Sequence, residues 1–584
     1  LDLDANARIK TLTGKTCKKY KAAGIGSYPD EDENCLPELT EYMYNHDLDG
    51  DADNGEQKAI TYTIGFHSDQ KLLSDAATKG GGVYYTTNSA EGLADAFQGA
   101  VTGILSTSST FTAPSVAVDT FTRTESRNEV FFAMFEPRAG TDWPGNIKKL
   151  RIDIDDGVAT LVDADGLAAL DDSGNIADTA RTYWSSGDDG STVDKGGVGQ
   201  LLAERDPDSR VIKTNTGTGG ALQDFVPESI TETAFGVASE TELLDLFGVD
   251  TRSELDNLLA WARGWTDSSK SETRGWILGD MLHSRPLVLN YGARGSHTAT
   301  NPDIRIVVGT NAGFLHMFDN ADGGEDWAFF PKELAAVLDQ RRDNATGRDP
   351  VYGVDASPVL YSKDINRDGT IDSTAGDKLY VYFGLRRGGT SYYALDVSNP
   401  DSPAFLWKID GNTAGFGELG QSWSVPVLTR VPGYASDGVP KPVLVFGAGY
   451  DTAKDSKASV ATADTEGRGV YIVDAVTGAL VWGVTPADNA LKNLQLTGMQ
   501  HSVAAGVSVV DSNGDELTDR IYAADTGGNI WRVDLPGNTL PTSAQTTWRA
   551  LKFAALNTSA ADGHAGDRRF FYAPDVVRTV SRHY

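Results

Sequence analysis

Ser357-Pro358-Val359-Leu360-Tyr361 is followed by Asp364-Ile365-Asn366-Arg367-Asp368-Gly369-Thr370-Ile371-Asp372 and then by Lys378-Leu379-Tyr380-Val381-Tyr382-Phe383-Gly384. The outer two runs are β-like, and the middle run is a loop with oxygen side chains at alternate positions. A glycine stands where the backbone must turn sharply. That spacing is the ligand pattern of the first nine positions of an EF-hand calcium loop. Here it joins two strands rather than two helices, so the reading is a calcium-bearing hairpin of an extracellular β-propeller, not an intracellular sensor. Asp364, Asn366, Asp368 and Asp372 are the expected side-chain ligands, Thr370 gives its carbonyl, and Gly369 permits the turn. The bidentate acid of position twelve is missing, because Ala375 stands there. Asp377 or water is left to complete the set, and the expected affinity suits extracellular calcium. The plain alternative is a solvated acidic turn.

Outward from this hairpin the pattern repeats. Strand-opening segments recur around Pro286, Pro358 and Pro426, at intervals of 358 − 286 = 72 and 426 − 358 = 68, and again at Tyr572-Ala573-Pro574-Asp575-Val576. His501-Ser502-Val503-Ala504 is a looser copy. A period near seventy fits four strands plus loops, one propeller blade. Second and third strands repeat as well: Ile306–Gly309 with Leu315–Asp319, Val381–Gly384 with Tyr392–Asp396, and Ile521–Asp525 with Ile530–Asp534. Trp327, Trp407, Trp482 and Trp548 recur in the fourth strand and are expected in the core between blades. The fold class is therefore mainly β, a modified propeller of four-stranded blades near 111–152, 283–350, 355–420, 422–495 and 501–560, with the start of another at 570. A long insertion covers about 153–275, with weak helical pattern at Glu242–Phe247 and Ser253–Arg263.

A second acidic loop, Asp511, Asn513, Asp515, Leu517 and Asp519, repeats the oxygen spacing, but Glu516 replaces the glycine. A non-glycine residue resists a positive φ, so calcium competes here with a hydrogen-bonded Asx-type turn. A third run, Asp47, Asp49, Asp51 and Asp53, has Gly55 at the ninth position and reads as a solvated loop. His283, His316 and His501 recur at blade positions and are expected to bond between blades.

Residues 1–108 are different. Ile60, Tyr62, Ile64 and Phe66 alternate as a strand, Leu72–Lys79 reads as a helix, and Val83–Tyr85 as a second strand. A helix capped by Ser89 carries Leu93, Phe97, Val101 and Leu105. This is the closing half of a doubly wound α/β sheet. Cys17 and Cys35, the two cysteines of 584 residues, read as one disulfide in an oxidising compartment, against two free thiols.

The net charge of −31 argues against nucleic acid as a partner. No apolar run is long enough to span a membrane, and no signal peptide opens the chain, which reads as a fragment cut at both ends. Nucleophile elbow, Walker loop and zinc-protease helix are absent from the sequence, so no catalytic residue is expected.

Gly279-Asp280-Met281-Leu282-His283-Ser284-Arg285-Pro286, Val308–His316 and Ala524–Asp534, with the calcium loop, resemble the PilY family of type IV pilus tip-associated adhesins and biogenesis factors. Tyr62–Phe66 and Gly80–Gly82 resemble the tail of that family's von Willebrand factor A domain. The Asp-x-Ser-x-Ser metal motif of such domains does not occur in residues 1–108. The resemblance implies a non-enzymatic, calcium-binding protein of the pilus tip or outer cell surface of a Gram-negative bacterium, exported through the periplasm. It implies control of pilus extension and retraction, twitching motility and adhesion, with minor pilins and a host or abiotic surface as partners. Two other readings are a quinoprotein dehydrogenase and an integrin-α-like adhesive propeller. The first lacks the adjacent cysteines such enzymes commonly carry, and the second overlaps in its Asp-rich hairpins.

Overall fold

The computed structural model describes residues 3–21, 31–48, 58–66, 70–87, 111–118, 126–155, 158–171, 174–216, 221–456, 462–487, 492–541, 547–557 and 567–577. The chain divides into two compact units, the smaller holding Leu1–Ser109, Pro137–Ala139 and Asp172–Asn175.

In the smaller unit, a helix Leu3–Thr13 precedes the antiparallel pair β1 (Lys18–Lys21) and β2 (Glu31–Asn34). Cys17 and Cys35 are disulfide-bonded, and Cys35 is buried at the start of the helix Leu36–Asn45. The strand β3 (Thr61–Phe66), the helix Lys71–Lys79 and β4 (Gly81–Thr87) follow, with β3 and β4 parallel. A parallel pair needs a crossover, and the helix supplies it. The helix expected after Ser89 lies outside the described residues, as do Asp49, Asp51 and Asp53.

The larger unit is built of antiparallel meanders. The first sheet is β5 (Phe111–Val118), β6 (Ser126–Phe135), β7 (Gly145–Asp155) and β8 (Val158–Val162). It runs ten residues past the expected end at 152. The region after it first packs on that sheet, burying Val193, Val198 and Leu202 against it, and then adds to the second sheet. Its strands β9 (Ile212–Asn215) and β10 (Leu222–Asp224) join β11 (Leu287–Gly292), β12 (Asp303–Gly309), β13 (Leu315–Asp319) and β14 (Glu325–Phe330) in the order β10-β9-β14-β13-β12-β11. The pairing of β9 with β14 is parallel. This second blade therefore has six strands, not four. Two helices of the same region, Glu240–Phe247 and Arg252–Arg263, bury Leu243, Phe247, Leu255, Leu258 and Leu259 against it. Arg210 completes the attachment with two hydrogen bonds of 2.8 and 3.0 Å to the buried Glu325.

The third blade is the four-stranded β15 (Val359–Lys363), β16 (Lys378–Gly384), β17 (Tyr392–Asp396) and β18 (Ala404–Ile409). In the fourth, β19 (Val427–Thr429) is followed by a small outlying pair, β20 (Ala435–Ser436) and β21 (Val439–Pro440). The sheet then continues through β22 (Val443–Gly447), β23 (Val470–Asp474), β24 (Leu480–Thr485) and β25 (Asn493–Gln495). Its last strand pairs in parallel and makes it five-stranded. The fifth is β26 (Ser508–Val510), β27 (Arg520–Ala524), β28 (Asn529–Asp534) and β29 (Arg549–Ala555). Among the described residues 567–577 there is no strand, although the Ser508 hydroxyl donates to the Pro574 carbonyl.

The second, third and fourth blades each seal onto the next by one device. The glycine ending the second strand lies under the carbonyl of the next blade's opening segment. A Cβ on Gly309 would stand 2.3 Å from the Val354 oxygen, and one on Gly447 2.3 Å from that of Val503. The fourth-strand tryptophans complete the seal. Trp327 Nε1 donates to the Pro400 carbonyl at 2.9 Å and Trp407 Nε1 to that of Ala475 at 3.1 Å, each in the following blade. Trp482 and Trp548 meet edge to face, their centroids 5.4 Å apart. Large rings fill the wedge between twisted sheets and bury much apolar area per residue. The histidines are mixed. His283 bonds Asp355 of the next blade at 2.8 Å, whereas His316 bonds Glu325 of its own sheet. His501 lies 3.4 Å from Lys454.

Candidate functional site: paired aspartate loops

Both aspartate loops link the first and second strands of a blade, the third and the fifth. Numbering each from its first aspartate, position one is Asp364 or Asp511. Its carboxylate accepts the position-four amide (Arg367 at 2.6 Å; Gly514 at 2.6 Å) and the position-six amide (Gly369 at 2.8 Å; Glu516 at 2.8 Å). Position three is Asn366 or Asn513. Its oxygen accepts the position-five amide at 3.1 and 2.9 Å, while its nitrogen donates to the position-five carboxylate, Asp368 or Asp515, at 2.9 and 3.1 Å. The position-five carboxylate then accepts from position seven, Thr370 at 2.8 Å and Leu517 at 2.9 Å. Short Asx side chains bonding forward to their own backbone wind a chain in this way.

Winding demands left-handed residues at positions four and six. In the first loop these are Arg367 (φ 60°) and Gly369 (φ 77°), in the second Gly514 (φ 85°) and Glu516 (φ 66°). Each loop has one glycine, at opposite positions, and tolerates one side chain in the disfavoured region. The substitution at Glu516, which on sequence argued against the second loop, thus leaves the winding intact.

Position eight is buried in both and fastens the loop to the preceding blade. The Ile371 amide donates to the Tyr291 carbonyl at the end of β11, 3.0 Å away. The Thr518 amide donates to the Arg430 carbonyl just past β19 at 2.8 Å, and its hydroxyl meets that of Thr429 at 2.7 Å.

The loops part at position nine. Asp372 caps a short turn, accepting the Thr374 amide at 2.8 Å and hydroxyl at 2.7 Å, which hold its carboxyl below the usual aspartate range. The loop is closed instead by the buried Asp377, whose two oxygens accept the Ile365 and Asp372 amides at 2.8 and 3.0 Å. In the second loop Asp519 itself closes the ring, accepting the Ser512 amide at 2.8 Å and hydroxyl at 2.7 Å. The amides of Gly514 and then Glu516 and its neighbours hold Asp511 below its usual value.

The donor set is chemically suited to a hard divalent cation: carboxylates, an Asn oxygen and a carbonyl on a loop already wound. Among the described residues, however, no three His, Cys, Asp or Glu side chains gather into a metal-holding group. The carboxylates lie on their own loop amides. Among the described residues, no helix is long and apolar enough to cross a membrane.

The chain matches the family model of the PilY1 beta-propeller domain over residues 288–581. It is 28% identical over 365 residues to the type IV pilus biogenesis factor PilY1 of Pseudomonas aeruginosa strain UCBPP-PA14, covering 59% of this chain and 28% of that protein. It is 27% identical over 375 residues to a type IV pilus biogenesis factor PilY1 homolog of Xylella fastidiosa, covering 61% and 26%. The matched stretch thus spans little more than a quarter of these relatives. The solved Pseudomonas aeruginosa PilY1 C-terminal domain is similar at 26% identity over 47% of this chain and 50% of that one, with a TM-score of 0.32.

Proposed function

This chain belongs to the PilY1 beta-propeller domain family, and from that premise we propose that it acts in type IV pilus biogenesis as a non-catalytic, calcium-responsive component at the cell surface. The smaller unit is read as the tail of a von Willebrand factor A domain, a reading supported by its parallel β3–β4 pair and crossover helix. Twitching, adhesion and contact with minor pilins belong to the same proposal.

One observation carries the calcium reading: two loops 147 residues apart (511 − 364) share the same Asx bonds over positions one to seven, with oxygens at the same positions. Asp364, Asn366, Asp368, Asp372 and the Thr370 carbonyl would hold the ion in the first loop. Asp511, Asn513, Asp515, Asp519 and the Leu517 carbonyl would hold it in the second. A bound cation supplies the positive charge that lets neighbouring carboxylates turn inward together. Because position eight of each loop is bonded to the preceding blade, ordering the loop stiffens a junction between blades. Partner surfaces spanning that junction would feel the change.

Elemental analysis of protein equilibrated with millimolar calcium tests this. Two equivalents are expected, one lost in Asp368→Ala and one in Asp515→Ala. At a hundredfold excess over Kd, calcium should add about 2.7 kcal/mol to unfolding per site. Calcium content unaltered in both variants would remove the ion from the proposal. Surface piliation unaltered by deletion of the gene would remove the pilus.

A further inference from the structure

We infer that Arg387 and its aromatic flank form a carboxylate-binding site, suited to the C-terminal carboxylate of a partner polypeptide with an apolar last residue. The inference is independent of the calcium reading.

Arg387 lies in the connection between β16 and β17, in the short turn Arg386–Gly388. That turn is held from both sides. A Cβ on Gly388 would stand 1.9 Å from the Gly353 carbonyl, so the backbone is pressed against the segment opening its own blade. On the other side the buried Ser422 hydroxyl accepts the Leu385 amide at 2.8 Å. Arg386 sits at a left-handed φ of 52°, which turns two successive arginines onto one tryptophan. Their guanidinium carbons lie 4.3 and 4.8 Å from the Trp423 ring centroid.

The two arginines differ in what else they touch. Arg386 is committed to the buried Asp355, 3.3 Å away, which also holds His283. The Arg387 guanidinium lies over Trp423 and 5.4 Å from the Tyr352 centroid. Among the described residues it has no carboxylate and no hydrogen-bond acceptor; only its carbonyl is used, by Gln421. In a chain with 82 acidic residues, a positioned guanidinium without an acid is a donor fork left for something else. A fork of N–H groups in one plane matches a carboxylate with two parallel bonds.

The surroundings select the ligand. Trp423 is stacked on Tyr450 at 4.4 Å, and Phe571, 41% exposed, packs beside both at 6.0 and 6.1 Å. This gives an apolar shelf next to the charge. The net charge of −31 repels polyanions at long range, while a single carboxylate meets only one unit of that field. A chain terminus fits that description, and terminal carboxylate capture is a recurring mode of peptide recognition.

The probe is N-acetylphenylalanine against N-acetylphenylalaninamide, titrated into the full chain at constant pH and low salt. The acid should bind and the amide should bind at least about tenfold more weakly, the loss expected for a charge-assisted pair. Arg387→Gln should abolish that preference with little change in Tm, because among the described residues its side chain donates to no acceptor and only stacks on Trp423 and Tyr352. Arg285→Gln, an exposed arginine of another blade, should leave it intact. Equal binding of acid and amide overturns the site. So does a preference that survives Arg387→Gln, and so does tighter binding of glucuronate, which would point to an acidic sugar.

Discussion

The two aspartate loops share positions one to eight and differ in how the ring is shut. The first is closed by a buried carboxylate thirteen residues from its start, Asp377, with Asp372 freed to cap a separate turn. The second is closed by its own ninth residue, Asp519, which is half-buried. The shared part is local and written in Asx residues. The unshared part depends on where the next strand begins, six residues after Asp372 but immediately after Asp519. One winding can thus be fitted to connections of different length by moving only the closing acid.

The largest test of that difference removes the closing acids. Asp377→Ala strands two loop amides at a buried site and should cost about 2–4 kcal/mol in denaturant unfolding. Asp519→Ala, whose partners can reach water, should cost about 1 kcal/mol. Equal losses would mean that burial of the closing carboxylate is not what separates the loops.

The next test exchanges the glycines. Gly369→Ala and Gly514→Ala each force a Cβ into the left-handed region, a cost of about 1–2 kcal/mol. Arg367→Gly and Glu516→Gly relieve the same strain and should stabilise, by up to about 1 kcal/mol after the entropy of the new glycine is counted. Loss of stability in Glu516→Gly would show that this side chain has a role beyond occupying the turn.

The smallest effect is acid sensitivity. The carboxyls held low are Asp372 in the first loop and Asp511 in the second. A depressed value in the folded state gives stability that is present above the unfolded value of 3.8 and lost as pH falls through the folded one. Below about pH 4 the first loop should therefore loosen at its end and the second at its start. Amide exchange should rise at Thr374 in one and at Gly514 and Glu516 in the other. Exchange at Thr374, Gly514 and Glu516 that does not change between about pH 5 and pH 2 would contradict the assignment.

Much of this was legible. The β-like apolar runs Val381–Gly384 and Tyr392–Asp396 give strands, and the recurring proline positions give the blade period. The Asx spacing gives the winding, and the recurring tryptophans lie between blades where expected. Other features were not. The expectation of four strands per blade fails in the second and fourth, where β9 and β25 add in parallel. Ile212–Asn215 carries no mark that its partner is Ala328–Phe330, more than a hundred residues away. Asp377 looks like a spare ligand in sequence and is a closing acid in the fold. Arg387 is one of two adjacent arginines, and nothing local says which of them has an acid.

Sequence alone determined the repeated unit of strands, the Asx spacing of the two loops and the glycines that end the second strands at Gly309 and Gly384, because these depend on φ/ψ preferences and on side chains a few residues apart. Only the tertiary structure decided that β9 and β10 extend the second blade to six strands, that position eight of each loop holds the neighbouring blade, and that Arg387 has no acidic partner among the described residues. Those outcomes depend on which distant backbone edges and charges come together, and side-chain periodicity, which reports the face a residue turns inward, carries no information about the partner it meets there.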